Sequence, residues 1–194
     1  MKMQTKYIFA IAAIAGIVNS YAQTMPKDEL VFLTSAWKGE RFSDGRPKIS
    51  DDLVNRAKSI GIEEAWTVLN NDGYKNQFEG NWKTATQGIK VVGRALTARY
   101  MPSRPDVEAN IKERGKKEGR QGNTNAWPID QLTKGDVYVA DGMGKIAQGT
   151  LIGDNLGNSI FAKSGNGVIF ISAGCCSSHF KNPSLISSVH WLSI

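Results

Sequence analysis

The feature that most constrains this chain is an alternation of patterns between residues 136 and 172. Val137 to Ala140 is a short β-prone run, preceded by the turn Lys134-Gly135-Asp136. Asn155 to Ser164 has helical spacing and is predicted to carry Leu156, Ile160 and Phe161 inward; Gly165-Asn166-Gly167 ends it with residues that tolerate left-handed backbone. Gly167 to Ser172 is then a second apolar strand. Strand, helix, strand in that order points to a mixed α/β domain.

The N-terminus has the pattern of a targeting signal. Lys2 and Lys6 precede an uncharged apolar run, Tyr7 to Val18, and Ser20-Tyr21-Ala22 fits the small-x-small rule for cleavage before Gln23. The run is short for a transmembrane helix, which needs about 20 apolar residues. The expectation is an exported protein, periplasmic or secreted, without a membrane anchor after cleavage. Removal of residues 1–22 leaves 172 residues, enough for one domain with its own core, carrying 22 basic against 18 acidic residues. That mild excess lacks the dense basic stripe of a nucleic-acid surface, so no nucleic-acid partner is expected.

Between the signal and the α/β segment, local rules place several elements. Leu30, Leu33 and Trp37 share one helical face, and Asp44-Gly45-Arg46-Pro47 is a turn. Ser50 is a good N-cap, followed by Asp51 and Asp52 and by the stripe Leu53, Val54, Ala57 and Ile60, with Gly61 as its stop. A short helix is predicted through Glu63 to Leu69, ended by Asn70-Asn71-Asp72-Gly73. Tyr74, Phe78 and Trp82 step by four, as core-facing rings of a helix would. Lys90 to Tyr100 is a strand on which Arg94 and Arg99, five apart, point to opposite faces. Asp106 to Lys117 is helical, and Arg104 can pair with Asp106. Gly115 to Pro128 is expected to be an exposed loop, either a solvated insertion or a lid over an anionic substrate. Turn chemistry accounts for Asp136 and Asp141.

The segment Gly153-Asp154-Asn155-Leu156 is the candidate binding site. Unpaired amides and the helix dipole at such a start favour an anion, and glycine permits close approach. The plainer reading is a helix start with Asp154 as its cap.

Three glycine-punctuated phrases carry a resemblance. They are Val92-Gly93-Arg94-Ala95-Leu96-Thr97-Ala98-Arg99-Tyr100, Gly135-Asp136-Val137-Tyr138-Val139-Ala140-Asp141-Gly142 and Gly149-Thr150-Leu151-Ile152-Gly153-Asp154-Asn155-Leu156. In order, they resemble the RraA-like family, also called the 4-hydroxy-4-methyl-2-oxoglutarate aldolase or demethylmenaquinone methyltransferase-like family, over about residues 28–170. The resemblance implies a swivelling β/β/α sandwich that assembles as a homotrimer. It implies that Gly153 to Leu156 hold the carboxylate of a small 2-oxo acid. It also implies magnesium-assisted aldol cleavage or decarboxylation, the cation polarising the 2-oxo group.

The family continues into an Asp-Gly-x-x-Arg-Asp turn, and this chain departs from it. Gly167-Val168-Ile169-Phe170 is followed by Ile171-Ser172-Ala173-Gly174-Cys175-Cys176. The family's substrate-binding arginine falls at Cys175 and its metal-binding aspartate at Cys176. Thiols are soft ligands that do not suit magnesium, and neither offers a guanidinium fork. Cys175, Cys176 and His179 are right for zinc by type, but they supply three ligands, two of them adjacent. Residues 171–194 contain one charged residue, Lys181, and seven serines. The expected organisation is therefore a signal over 1–22, an RraA-like domain over 23–170 that is incomplete at its C-terminus, and an atypical tail over 171–194 produced by a frameshift or early stop. Three functions compete: an exported lyase, a non-catalytic RraA-like binding or regulatory module, and an inactive truncated derivative.

Overall fold

The computed structural model describes residues 25–78, 88–143 and 152–171, together with the backbone of a strand over 186–190. The signal at 1–22, Trp82, most of the loop from Gly142 to Gly149, Cys175, Cys176 and His179 lie outside the described residues. The chain divides into two compact units, Met1–Lys48 and Ile49–Ile194.

In the first unit, helix α1 (Lys27–Leu33) is followed by a loop that folds on Arg41. The Arg41 guanidinium donates to the Thr34 hydroxyl at 2.7 Å, to the Gly45 carbonyl at 2.8 Å and to the Thr34 carbonyl at 2.7 Å. The expected turn at Asp44 to Pro47 forms, with Gly45 at φ +95°. A side chain there would press on the Lys27 carbonyl at 3.2 Å, so left-handed backbone and close packing both call for glycine. The helix ends before Trp37, and Leu33 is exposed, so the expected single face is shorter than its spacing implied.

The second unit opens with helix α2 (Asp51–Ala57), capped as expected: the Ser50 hydroxyl accepts from the Leu53 amide at 3.3 Å. Of its apolar stripe only Val54 is fully buried; Leu53 and Ile60 are exposed. Gly61 does more than stop it. It is also the N-cap of helix α3 (Ile62–Asn71), where the Glu64 carboxylate reaches back to the Gly61 amide at 2.7 Å. Residues 74–78 are not helical, and Tyr74 and Phe78 are exposed, so the helical reading of the four-residue step fails over the part described. Phe78 instead meets Trp66 of α3 with ring centroids 5.6 Å apart.

Strand β1 (Arg94–Arg99) leads to helix α4 (Pro105–Lys117), which starts on proline as helices readily do. Then come the short helix α5 (Trp127–Asp130), strand β2 (Asp136–Asp141), helix α6 (Asp154–Ser164), and strands β3 (Val168–Ile171) and β4 (Ile186–His190). The four strands form one sheet in the order β1-β2-β3-β4, every neighbouring pair parallel. The described architecture is thus mixed α/β, as the strand–helix–strand pattern implied. The charge-poor tail contributes its edge strand β4.

Register follows the side-chain alternation. Leu96, Tyr138 and Val168 align across the sheet, as do Ala98, Ala140 and Phe170. These residues share one face and meet Ile129, Leu132, Ile152 and Ile160 in the core. Ala95, Thr97 and Arg99 on the other face of β1 are exposed, and Val139, Ile169 and Ile171 beside them are half-buried. Arg94 and Arg99 are five apart on β1, and Asp136 and Asp141 are five apart on β2; the parallel register sets Arg94 against Asp136 and Arg99 against Asp141. Both pairs form, at 3.0 and 2.8 Å. A slip of one residue would break both at once, so the matched spacing reinforces the register that the apolar face selects.

The segment expected to be a solvated loop is partly core. Gly115 is buried inside α4, where the Trp127 ring occupies the space that a methyl group would fill. Trp127 is itself buried, donates to the Gln121 carbonyl at 2.8 Å, and lies under the Arg120 guanidinium. One indole thus ties α4 to the following turn, and a lid hinged there has no support.

Candidate functional site

The direction of α6 follows from its C-terminal contacts. The Gly135 amide donates to the Ser164 carbonyl at 2.9 Å, and the Asn166 side-chain amide donates to the Asp136 carbonyl at 2.9 Å. The end of α6 therefore lies at the amino edge of β2. An eleven-residue helix extends about 16 Å from there along the strands. Its N-terminus stands toward the carboxyl edge, the side on which open parallel sheets take their ligands.

Gly153 is the N-cap of α6, in extended backbone at φ −98°. Among the described residues, a Cβ at Gly153 would meet nothing within 4 Å, so packing against them does not demand glycine here. The Gly153 carbonyl accepts the first helical bond, from the Gly157 amide at 2.9 Å. The amides of Asp154, Asn155 and Leu156 fall in the first turn, where a helix offers no acceptor of its own. Asp154 is not the cap; its carboxylate accepts from the Asn158 side-chain amide at 3.3 Å, one turn along. Leu156 is partly buried against the core, which holds the turn to the sheet. Phe161, expected inward, is exposed, while Ile160 is buried.

The two arginine–aspartate pairs lie on opposite faces and opposite edges. Arg94 donates to Asp136 at 3.0 Å, to Asp51 at 2.6 Å, to the Ile49 carbonyl at 3.1 Å and, closely, to the Lys134 carbonyl. Burial works against its charge, but the bonds to Asp51 and Asp136 outweigh that and raise its pKa further. The hydrogen bond from Arg94, with its charge, lowers the Asp51 pKa. Asp136 also accepts from the Thr133 amide at 2.7 Å and hydroxyl at 2.8 Å. Turn chemistry thus accounts for one part of its role, and Arg94 for the other. Asp141 accepts from the Met143 amide at 2.8 Å, the turn bond expected of it, and from Arg99. The hydrogen bond from Arg99, followed by that of Met143, lowers the Asp141 pKa. Arg104 and Asp106 pair at 2.6 Å.

Behind β1 and β2 the Tyr100 and Tyr138 hydroxyls meet at 2.5 Å. Burial raises both pKa values, most strongly for Tyr138, so both phenols stay neutral. The aromatic positions gave no sequence signal for this pair, because it depends on strand pairing. Among the described residues no three His, Cys, Asp or Glu side chains gather as a metal site would require. Among them, too, no helix is long and apolar enough to cross a membrane.

No family model matches this chain, and no curated protein does. The crystal structure of an uncharacterized protein from Pseudomonas syringae pv. tomato str. DC3000 is similar with a TM-score of 0.48 and 17% identity, over 74% of this chain and 56% of that one. The chain therefore spans little more than half the length of that protein.

Proposed function

We propose that this chain is an RraA-like protein whose segment Gly153-Asp154-Asn155-Leu156 binds the carboxylate of a small 2-oxo acid, with the family's carbon–carbon cleavage impaired. The swivelling β/β/α sandwich, the homotrimer and the exported location belong to the same proposal. One observation carries it: α6 starts on Gly153, with its N-terminus toward the carboxyl edge of a parallel sheet. A carboxylate bound there would accept from first-turn amides in a position that the helix dipole favours.

Magnesium, the cation that the resemblance implies, needs several hard oxygen ligands. The described residues do not fit it. Asp154 is the acid in the cradle, and Asp141 is engaged by Arg99 and the Met143 amide. What this chain's residues support is binding and orientation: amides hold the carboxylate, and Leu156 anchors the turn that presents them. Sulfur at Cys175 and Cys176, in place of guanidinium and carboxylate, underlies the impairment.

The test is a pyruvate titration of the full chain, followed by amide NMR, with an oxaloacetate turnover assay in magnesium. The expected result is saturable shifts at residues 154–156 and turnover no faster than with magnesium alone. Absence of those shifts would remove the binding site, and clear enzyme-dependent turnover would remove the impairment.

A further inference from the structure

We propose that a cleft at the amino edge of the sheet, away from the start of α6, is a separate binding site for a small organic anion with an apolar body. The cleft encloses about 580 Å³, within the usual range for small-molecule sites. Its lining includes Val54, Asn55 and Lys58 of α2 and its C-cap, Val92 and Lys134 before the strands, and Phe161 of α6. This explains why Phe161, on a helix whose inward residues are buried, keeps an exposed ring.

Both walls are fastened to the sheet. Arg94 holds the start of α2 through the Ile49 carbonyl and the Asp51 carboxylate. The Lys90 ammonium holds its end, donating to the Lys58 carbonyl at 3.0 Å and the Ile60 carbonyl at 2.9 Å. On the other side, the Asn166 side chain donates to the Asp136 carbonyl at 2.9 Å and the Val92 carbonyl at 3.4 Å. A cleft with walls held in this way needs little ordering when a ligand enters.

The charge balance selects an anion. Asp51, the acid in the lining, is paired with Arg94 at 2.6 Å. Lys58 donates to the neutral Asn55 side chain at 2.9 Å, and neither Lys58 nor Lys134 forms an ion pair among the described residues. The end of α6 would ordinarily present negative carbonyls to this space. Here the Phe161 and Ser164 carbonyls already accept hydrogen bonds from the Gly165 and Gly135 amides, which takes up part of that negative end. Lys58 and Lys134, which line the same cleft as Val54, Val92 and Phe161, therefore match a carboxylate or phosphate head on an apolar body.

The probes are benzoate and its cationic counterpart benzylamine, titrated separately into the full chain and followed by amide NMR. Benzoate should give saturable shifts at Val92, Lys134 and Asn166, and benzylamine should give none. Lys134→Ala and Lys58→Ala should each weaken benzoate about threefold, as exposed charge contacts do. Among the described residues neither ammonium is part of a salt bridge, and Lys134→Gln serves as a second, gentler variant. Equal binding of benzylamine, shifts that do not saturate, or unchanged affinity in all three variants would overturn the proposal. Pyruvate shifts at residues 154–156 should be indifferent to Lys134→Ala, which separates failure of this site from failure of the α6 reading.

Discussion

Arg94 and Arg99 sit on the same strand and each faces an aspartate of β2, yet they serve the protein differently. The Arg94 side chain is 15% exposed and its aspartate 5%, and the guanidinium makes four bonds that join β1, β2 and α2. The Arg99 side chain is 77% exposed and, among the described residues, bonds to Asp141 alone. Pair chemistry is identical; surroundings are not. A buried pair cannot lose a partner without stranding a charge, whereas an exposed one is replaced by water. The glycines repeat the contrast. A Cβ at Gly93, on the amino side, would lie 2.6 Å from the Gly135 carbonyl oxygen, while one at Gly153 would touch none of the described residues. Arg94 and Gly93 at the amino edge are committed to packing, whereas the described residues constrain Arg99 and Gly153 at the carboxyl edge far less.

The contrast breaks most visibly at Asp136. Asp136→Ala should lower unfolding stability by about 3 kcal/mol in urea titrations, because Arg94 keeps only the exposed Asp51 carboxylate and the Thr133 amide and hydroxyl lose their acceptor. Gly93→Ala should follow at about 2 kcal/mol, since backbone and the Val137 side chain must shift to admit the methyl. Arg99→Ala should cost less than about 1 kcal/mol. It should also flatten the acid limb. Arg99 lowers the folded pKa of Asp141, so that stabilisation is present above the ordinary carboxylate pKa and is lost as pH falls through the folded value. Without Arg99 there is less to lose, and melts repeated below about pH 4 should fall away less steeply than those of the parent. Gly153→Ala should be the mildest, within about 0.5 kcal/mol, while weakening pyruvate shifts at 154–156. A large destabilisation at Gly153 would mean that its role is structural after all.

Much of the local architecture was legible. Ser50 capping α2, Pro105 starting α4 and Gly165 closing α6 at φ +72° all follow rules that act within a turn. The candidate cradle was legible too, as a glycine before a helix, although Asp154 proved to be its first residue rather than its cap. The amino-edge cleft was not, because its lining comes from residues 51–58, 92, 134–135 and 161–166, which only the fold assembles. The Trp127 anchor was missed because glycine and polar residues around it imitate a loop, and an indole's burial depends on a space that Gly115 leaves ten or more positions earlier.

By itself the chain's order of residues determined the strand–helix–strand alternation, the helix ends, and the opposite pointing of two arginines five apart. Only the packed sheet decided which of those arginines is enclosed, which glycine is indispensable, and which residues line the amino-edge cleft. Backbone preference and capping are settled between near neighbours. Burial is settled by parallel partners some forty residues away, and no local pattern carries that information.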